Sequence, residues 1–223
     1  YNARALYKIL DAGVLPRLTT EPFSANVNGK KMSFDRGTIV IPVSQRDANS
    51  TLTEDNIHNL MNSISLENHV NIYATNSAST PTGPDLGGAF QGLLKKPKVA
   101  ILSGRGTSSY GVGEVWHLLN HRMHIPASLV DANNISLSKL SHYNTLILAD
   151  GNYAMLDSVD IQSIKDWNKE GGTLITTGSA SRWAVNKKIT TEKIKKNKQI
   201  NLDIAYSRVR NTTGAQRIGG AIF

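Results

Sequence analysis

The chain has no cysteine, which excludes disulfides, thiolate catalysis and Cys-ligated zinc within it. No apolar run approaches the roughly 18 residues that a membrane-spanning helix needs, so no span is expected. Three catalytic signatures are also missing. No Gly-Lys-Ser/Thr completes a phosphate-binding loop, no His-Glu-x-x-His marks a zinc protease, and no Gly-x-Ser-x-Gly forms a nucleophile elbow. The chain opens at Tyr1 inside an apparent helix, without an initiator Met or signal peptide. It closes on Gly219-Gly-Ala-Ile-Phe223, which reads as the start of a strand. The expectation is a segment of a longer protein.

What is present is an alternation of apolar runs and amphipathic stretches. Val99–Leu102 leads into Gly104-Arg-Gly106 and then a helical pattern; Thr145–Asp150 and Thr173–Gly178 repeat the scheme. Such runs imply strands buried on both faces, hence a parallel sheet flanked by helices with ligands beyond the strand carboxyl ends. Before this come a helix over 3–12, with Ala5, Leu6, Ile9 and Leu10 on one face, and a strand over 14–20. A hairpin over 23–34 turns at Asn28-Gly29. A buried strand over 37–43, a helix capped by Thr53, and a strand over 71–75 parallel to the one before the helix should follow. Residues 77–97 are rich in Ser, Thr, Pro and Gly. The expected organisation is therefore a smaller αβ unit over 1–76, a linker over 77–97 and a doubly wound α/β domain over 98–223.

The net charge of +8 is concentrated. Lys187–Arg217 holds nine Lys/Arg against Glu192 and Asp203. Lys193, Lys195, Lys196 and Lys198 are not interleaved with the aromatics that single-strand binders stack on, so a solvated run is expected and no nucleic-acid partner.

Candidate chemistry is sparse. Gly104-Arg-Gly106 has Ser109 where a dinucleotide fingerprint needs its third Gly. Glu114, His117 and His121 could share a helix face, with Trp116, Leu118 and Leu119 as its buried side, but three residues of suitable type are weak grounds for a metal. Ser179 and Ser181 lack the second elbow Gly, and Ser179 reads as a helix N-cap. Ser136-x-x-Lys139 is too short to carry weight. Any ligand site should lie at the strand ends, among Gly104, Arg105, Gly106, Ser109, Asp150, Asn152, Tyr153, Ser179 and Arg182. Gly-rich turns at helix N-termini attract anions, and the two arginines would reinforce that.

Several blocks resemble the region downstream of the catalytic domain in bacterial secreted zinc carboxypeptidases of the carboxypeptidase A type. They are Ala5–Gly13 (ALYKILDAG), Phe34–Thr38 (FDRGT), Pro81–Gly87 (PTGPDLG), Leu94–Ala100 (LKKPKVA), Gly113–Leu119 (GEVWHLL), Gly172–Ile175 (GTLI) and Gly178–Trp183 (GSASRW). The resemblance implies a class I glutamine amidotransferase-like, flavodoxin-like fold and a periplasmic or extracellular location. It also implies a peptidase domain, with its zinc, elsewhere in the same polypeptide as the partner. The family's metal is held by His-x-x-Glu, yet the histidines at 58, 69, 117, 121, 124 and 142 are followed at the third position by Met, Ile, Asn, His, Ala and Thr. Amidotransferases of this fold carry an elbow Cys, absent here. The expectation is a non-catalytic accessory domain without a cofactor of its own. The alternatives are a sugar- or peptide-binding module, or a diverged hydrolase with a site near Ser179.

Overall fold

A computed structural model describes residues 2–44, 52–135 and 137–194. Ser136, Lys195, Lys196, Lys198 and the strand expected at Gly219–Phe223 lie outside the described residues. Helix α1 (Asn2–Asp11) buries Ala5, Tyr7, Ile9 and Leu10, so Tyr7 takes the place expected of Leu6. Gly13 follows at φ +81°, a left-handed conformation that suits glycine and ends the helix. Strand β1 is short (Arg17–Thr19). Strands β2 (Phe23–Val27) and β3 (Lys30–Phe34) pair in antiparallel register from Phe23↔Phe34 to Val27↔Lys30. Asn28 and Gly29 between them sit at φ +50° and +75°, the type I′ geometry that the Asn-Gly pair favours.

The expected parallel crossover does not form. From the 37–43 run only β4 (Ile39–Val40) is a strand, half-buried and antiparallel to β1, while residues 71–75 are exposed and outside any strand. The cause is local. Gly37 N–H donates to Thr19 O and Thr38 Oγ1 donates to Asp35 O, so the chain turns until Ile39. Pro42 then contributes no N–H to extend the ladder. On its other edge β1 pairs with β5 (Gln91–Leu93), drawn from within 77–97, giving the order β4-β1-β5. Helix α2 (Glu54–Asn68) is capped by Thr53, whose hydroxyl accepts from Asn56 N–H, and it buries Ile57, Met61 and Ile64 against Ala5 and Ile9 of α1.

The second half follows the expected alternation. Strands β6 (Val99–Ser103), β7 (Ala127–Asp131), β8 (Thr145–Leu148) and β9 (Thr173–Thr176) form one all-parallel sheet in the order β7-β6-β8-β9. Helix α3 (Ser109–Trp116), the short α4 (Leu137–Leu140), α5 (Ser158–Lys169) and α6 (Ser179–Asn186) are interspersed. This is a mixed α/β arrangement compatible with a flavodoxin-like fold. The period of two along each strand sorts the core. Ala100, Leu102, Leu146 and Leu148 face α5 and α6, while Val99, Ile101, Ile147 and Ala149 pack with Val112 of α3 and Tyr7 of α1. Each fully buried leucine or isoleucine contributes about 1.5–3 kcal/mol, so these central strands supply much of the stability. Ile161, Ile164 and Trp167 form the inner face of α5, while Val159 is 69 % exposed.

The described residues up to Thr191 make one compact unit. Among the described residues no helix is long and apolar enough to cross a membrane.

Candidate functional site

In the order β7-β6-β8-β9 the progression of strands reverses between β6 and β8, which is where parallel α/β sheets open a crevice. Here the chain's own backbone closes it. Thr107 and Gly151 form a β-bridge, Ser108 N–H donates to Asp150 O at 2.7 Å, and Asn152 N–H donates to Gly106 O at 3.0 Å. Two glycines permit this approach. A Cβ on Gly151 would stand 2.7 Å from Gly106 O, and one on Gly106 would stand 2.6 Å from Met155 Cε.

Asp150, at the end of β8, reaches across to the start of α6. Its Oδ1 accepts from Ser179 N–H at 2.8 Å and lies 2.5 Å from Ser179 Oγ. Gly151 N–H donates to the same hydroxyl at 3.1 Å, and Gly151 O lies 2.7 Å from it. The hydroxyl has one hydrogen, and the carboxylate is the stronger acceptor. A carboxylate at a helix N-terminus also meets the positive end of the helix dipole. Ser179 is therefore not the N-cap: Gly178 holds that position at φ +57°, and the cap is Asp150, from another element. Ser181 is likewise engaged, donating to Thr176 O at 3.1 Å beside Thr176 Oγ1. No imidazole among the described residues is bonded to Ser179.

The bonds from the Ser179 hydroxyl, the Ser179 N–H and then Gly151 hold the Asp150 carboxyl below its ordinary range. A group whose folded-state pKa is depressed stabilises the fold above its unfolded value, and that stabilisation is lost as pH falls through the folded value. Asp150→Asn should thus be less stable than the parent at neutral pH. The two melting temperatures should converge as pH drops below about 4, the ordinary aspartate range. A gap that stays constant down to acid pH would show that the carboxylate's charge contributes nothing.

The nine residues singled out from sequence do not share one cleft. Gly104 and Ser109 line a depression of about 340 Å³ with Trp116 and Leu129. Asn152, Ser179 and Arg182 line a separate one of about 390 Å³ with Trp183, Asn186 and Lys187. The Thr107–Gly151 bridge knits the loops between them, with Gly106 packed beneath Met155. Arg105 is exposed and makes no ion pair among the described residues. Tyr153 is 0 % exposed, at φ +50°, and its hydroxyl donates to Ala149 O at 2.6 Å. Burial, with the nearby Asp150 charge adding to it, pushes the Tyr153 phenol above its ordinary value. Trp183, Asn186 and Lys187 were not singled out from sequence. The signal was there: Ser179, Arg182, Trp183 and Asn186 are spaced i, i+3, i+4, i+7, one face of a helix.

The histidine helix departs from its expected form. After Trp116 the chain widens into a π-helical turn (His117–Arg122), with Met123 N–H bonded to Leu118 O. Leu118, expected inside, is 46 % exposed, and Trp116 and Leu119 are only half-buried. His117 and His121 stack with ring centroids 5.2 Å apart, and Trp116 meets His121 edge-on at 5.1 Å. Among the described residues no three His, Cys, Asp or Glu side chains converge as metal ligands. Compared with known proteins, the chain matches no family model, no curated protein and no solved structure.

Proposed function

We propose that this chain is a non-catalytic accessory region of an exported zinc metallocarboxypeptidase, a scaffold beside the peptidase domain rather than an enzyme in its own right. The observation that carries the reading is the state of Ser179 and Asp150. A hydrolytic serine needs a base to take its proton and a free Oγ to attack. The Ser179 hydroxyl is instead held by Asp150 and Gly151, tying the β8 loop to α6. The bridge at Thr107–Gly151 supports the same reading, since it fills the strand-end crevice with backbone. The parallel order β7-β6-β8-β9 is compatible with the class I glutamine amidotransferase-like, flavodoxin-like fold that the sequence blocks resemble. On this reading zinc belongs to the peptidase domain, and the location is periplasmic or extracellular.

The 223-residue chain, dialysed and assayed, should release no C-terminal residues from peptides and retain no stoichiometric zinc. Metal analysis finding about one zinc per chain would contradict the proposal, because a structural or catalytic zinc site binds its ion at that ratio. A ligand-binding role is the second reading. It is favoured by the depression along α6, bordered by Arg182 and Lys187.

A further inference from the structure

The depression along α6 combines features that the scaffold role leaves unused. Its floor is the face of α6 that carries Ser179, Arg182, Trp183 and Asn186, with Asn152 from the β8 loop and Lys187 at its rim. Two cations therefore border one concavity. Arg182 and Lys187 are exposed, and neither side chain makes an ion pair among the described residues. The Asp150 carboxylate is committed to Ser179 and Gly151 rather than to either cation.

The second observation is a donor without an acceptor. Trp183 is 7 % exposed, and its indole N–H has no hydrogen-bond partner. Buried indole N–H groups usually find one, and leaving one unmade carries a desolvation cost. Trp167 shows the usual solution, donating to Tyr143 O at 3.2 Å. Asn152 adds a further donor, because its Oδ1 is occupied by Ala154 N–H at 3.1 Å and its NH₂ is left over. A guanidinium, an ammonium and an amide donor border a concavity lined also by Trp183, whose buried indole donor is unpaired, and no carboxylate is among the lining residues. That set is complementary to an oxyanion.

We infer that the depression formed by Asn152, Arg182, Trp183 and Lys187 binds an oxyanion-bearing ligand, a carboxylate or a phosphate. The planar guanidinium of Arg182 supplies a paired-donor fork, and Lys187 supplies a point charge. The volume of about 390 Å³ is large enough for a small acid or the end of a peptide.

The test is a titration of the full chain followed by ¹H–¹⁵N NMR, using the three tryptophan indole N–H signals, with Trp183 assigned through Trp183→Phe. The probes are acetyl-trialanine with a free carboxylate, the same peptide amidated, inorganic phosphate, and sodium chloride at matched ionic strength. The expected result is a saturable shift of the Trp183 signal with at least one oxyanion, while Trp116 and Trp167 stay in place. Arg182→Gln should weaken that binding at least about tenfold, as for loss of a charged hydrogen bond, and Lys187→Gln should weaken it less. A response to the free-carboxylate peptide but not its amide assigns a carboxylate source; a response to phosphate alone assigns a phosphate. No saturable shift with any probe, a shift matched by chloride, or binding unchanged in Arg182→Gln would overturn the inference. The scaffold role would survive such a failure, since it rests on Ser179 and Asp150 and not on ligand binding.

Discussion

Gly172→Ala should destabilise the fold by about 3 kcal/mol, the upper end for overpacking, and lower the melting temperature by roughly 6–12 °C for a chain of this size. The added methyl would stand 2.4 Å from Trp167 Cδ2 and Cε2. Neither side has room to yield. Trp167 is 4 % exposed, packed among Ile161, Ile164 and Leu146, and its indole is held by Tyr143 O. Gly172 is fixed on both of its polar groups, since its N–H donates to Trp167 O and its carbonyl accepts from Asn168 Nδ2. The same methyl at Gly171 meets nothing within 4 Å, although its φ of +101° disfavours any side chain. Gly171→Ala should therefore be the milder variant, at about 1 kcal/mol from backbone strain. Thermal unfolding of the pair separates the two causes. Equal losses would show that Trp167 yields to the methyl.

Tyr153→Ala should cost about 3–5 kcal/mol, the range for truncating a fully buried aromatic ring. Tyr153→Phe should cost only about 1–2 kcal/mol, because it keeps the ring and removes one buried hydrogen bond. The ring packs at 5.5 Å from Trp183, and the hydroxyl is satisfied by Ala149 O. Chemical denaturation of both variants tests this, with the midpoint moving and the slope unchanged. A ligand-binding tyrosine at the surface would give the opposite pattern, with stability unmoved in either variant.

The parallel half of the fold was legible because its strands are buried on both faces and its helices carry their own stops. Val99–Leu102 and Leu146–Leu148 are continuous apolar runs, and Asp157 caps α5 with a reciprocal bond from Asp160. The hairpin was legible from Asn28-Gly29 alone. The run at 37–43 misled, since its apolar letters do not say whether β1 or a distant strand is the partner. A turn held by Thr19 and Asp35 and a proline at 42 decided it for the antiparallel neighbour. Position 179 misled for a related reason. A serine opening a helix usually caps it through its own side chain, whereas here the cap comes from Asp150, 29 residues earlier. Long-range contacts of that kind leave no trace in local spacing. That five of the nine candidates line two separate depressions and the other four line neither has the same origin, the bridge between Thr107 and Gly151.

The most direct test of Ser179 as a structural residue is its reactivity. The full chain, incubated with a fluorophosphonate and digested for mass spectrometry, should carry no adduct on the peptide containing Ser179, because its hydroxyl is held by Asp150 and Gly151 with no imidazole to take its proton. Stoichiometric labelling at Ser179, abolished in Ser179→Ala and at high temperature, would show an activated nucleophile and contradict the account.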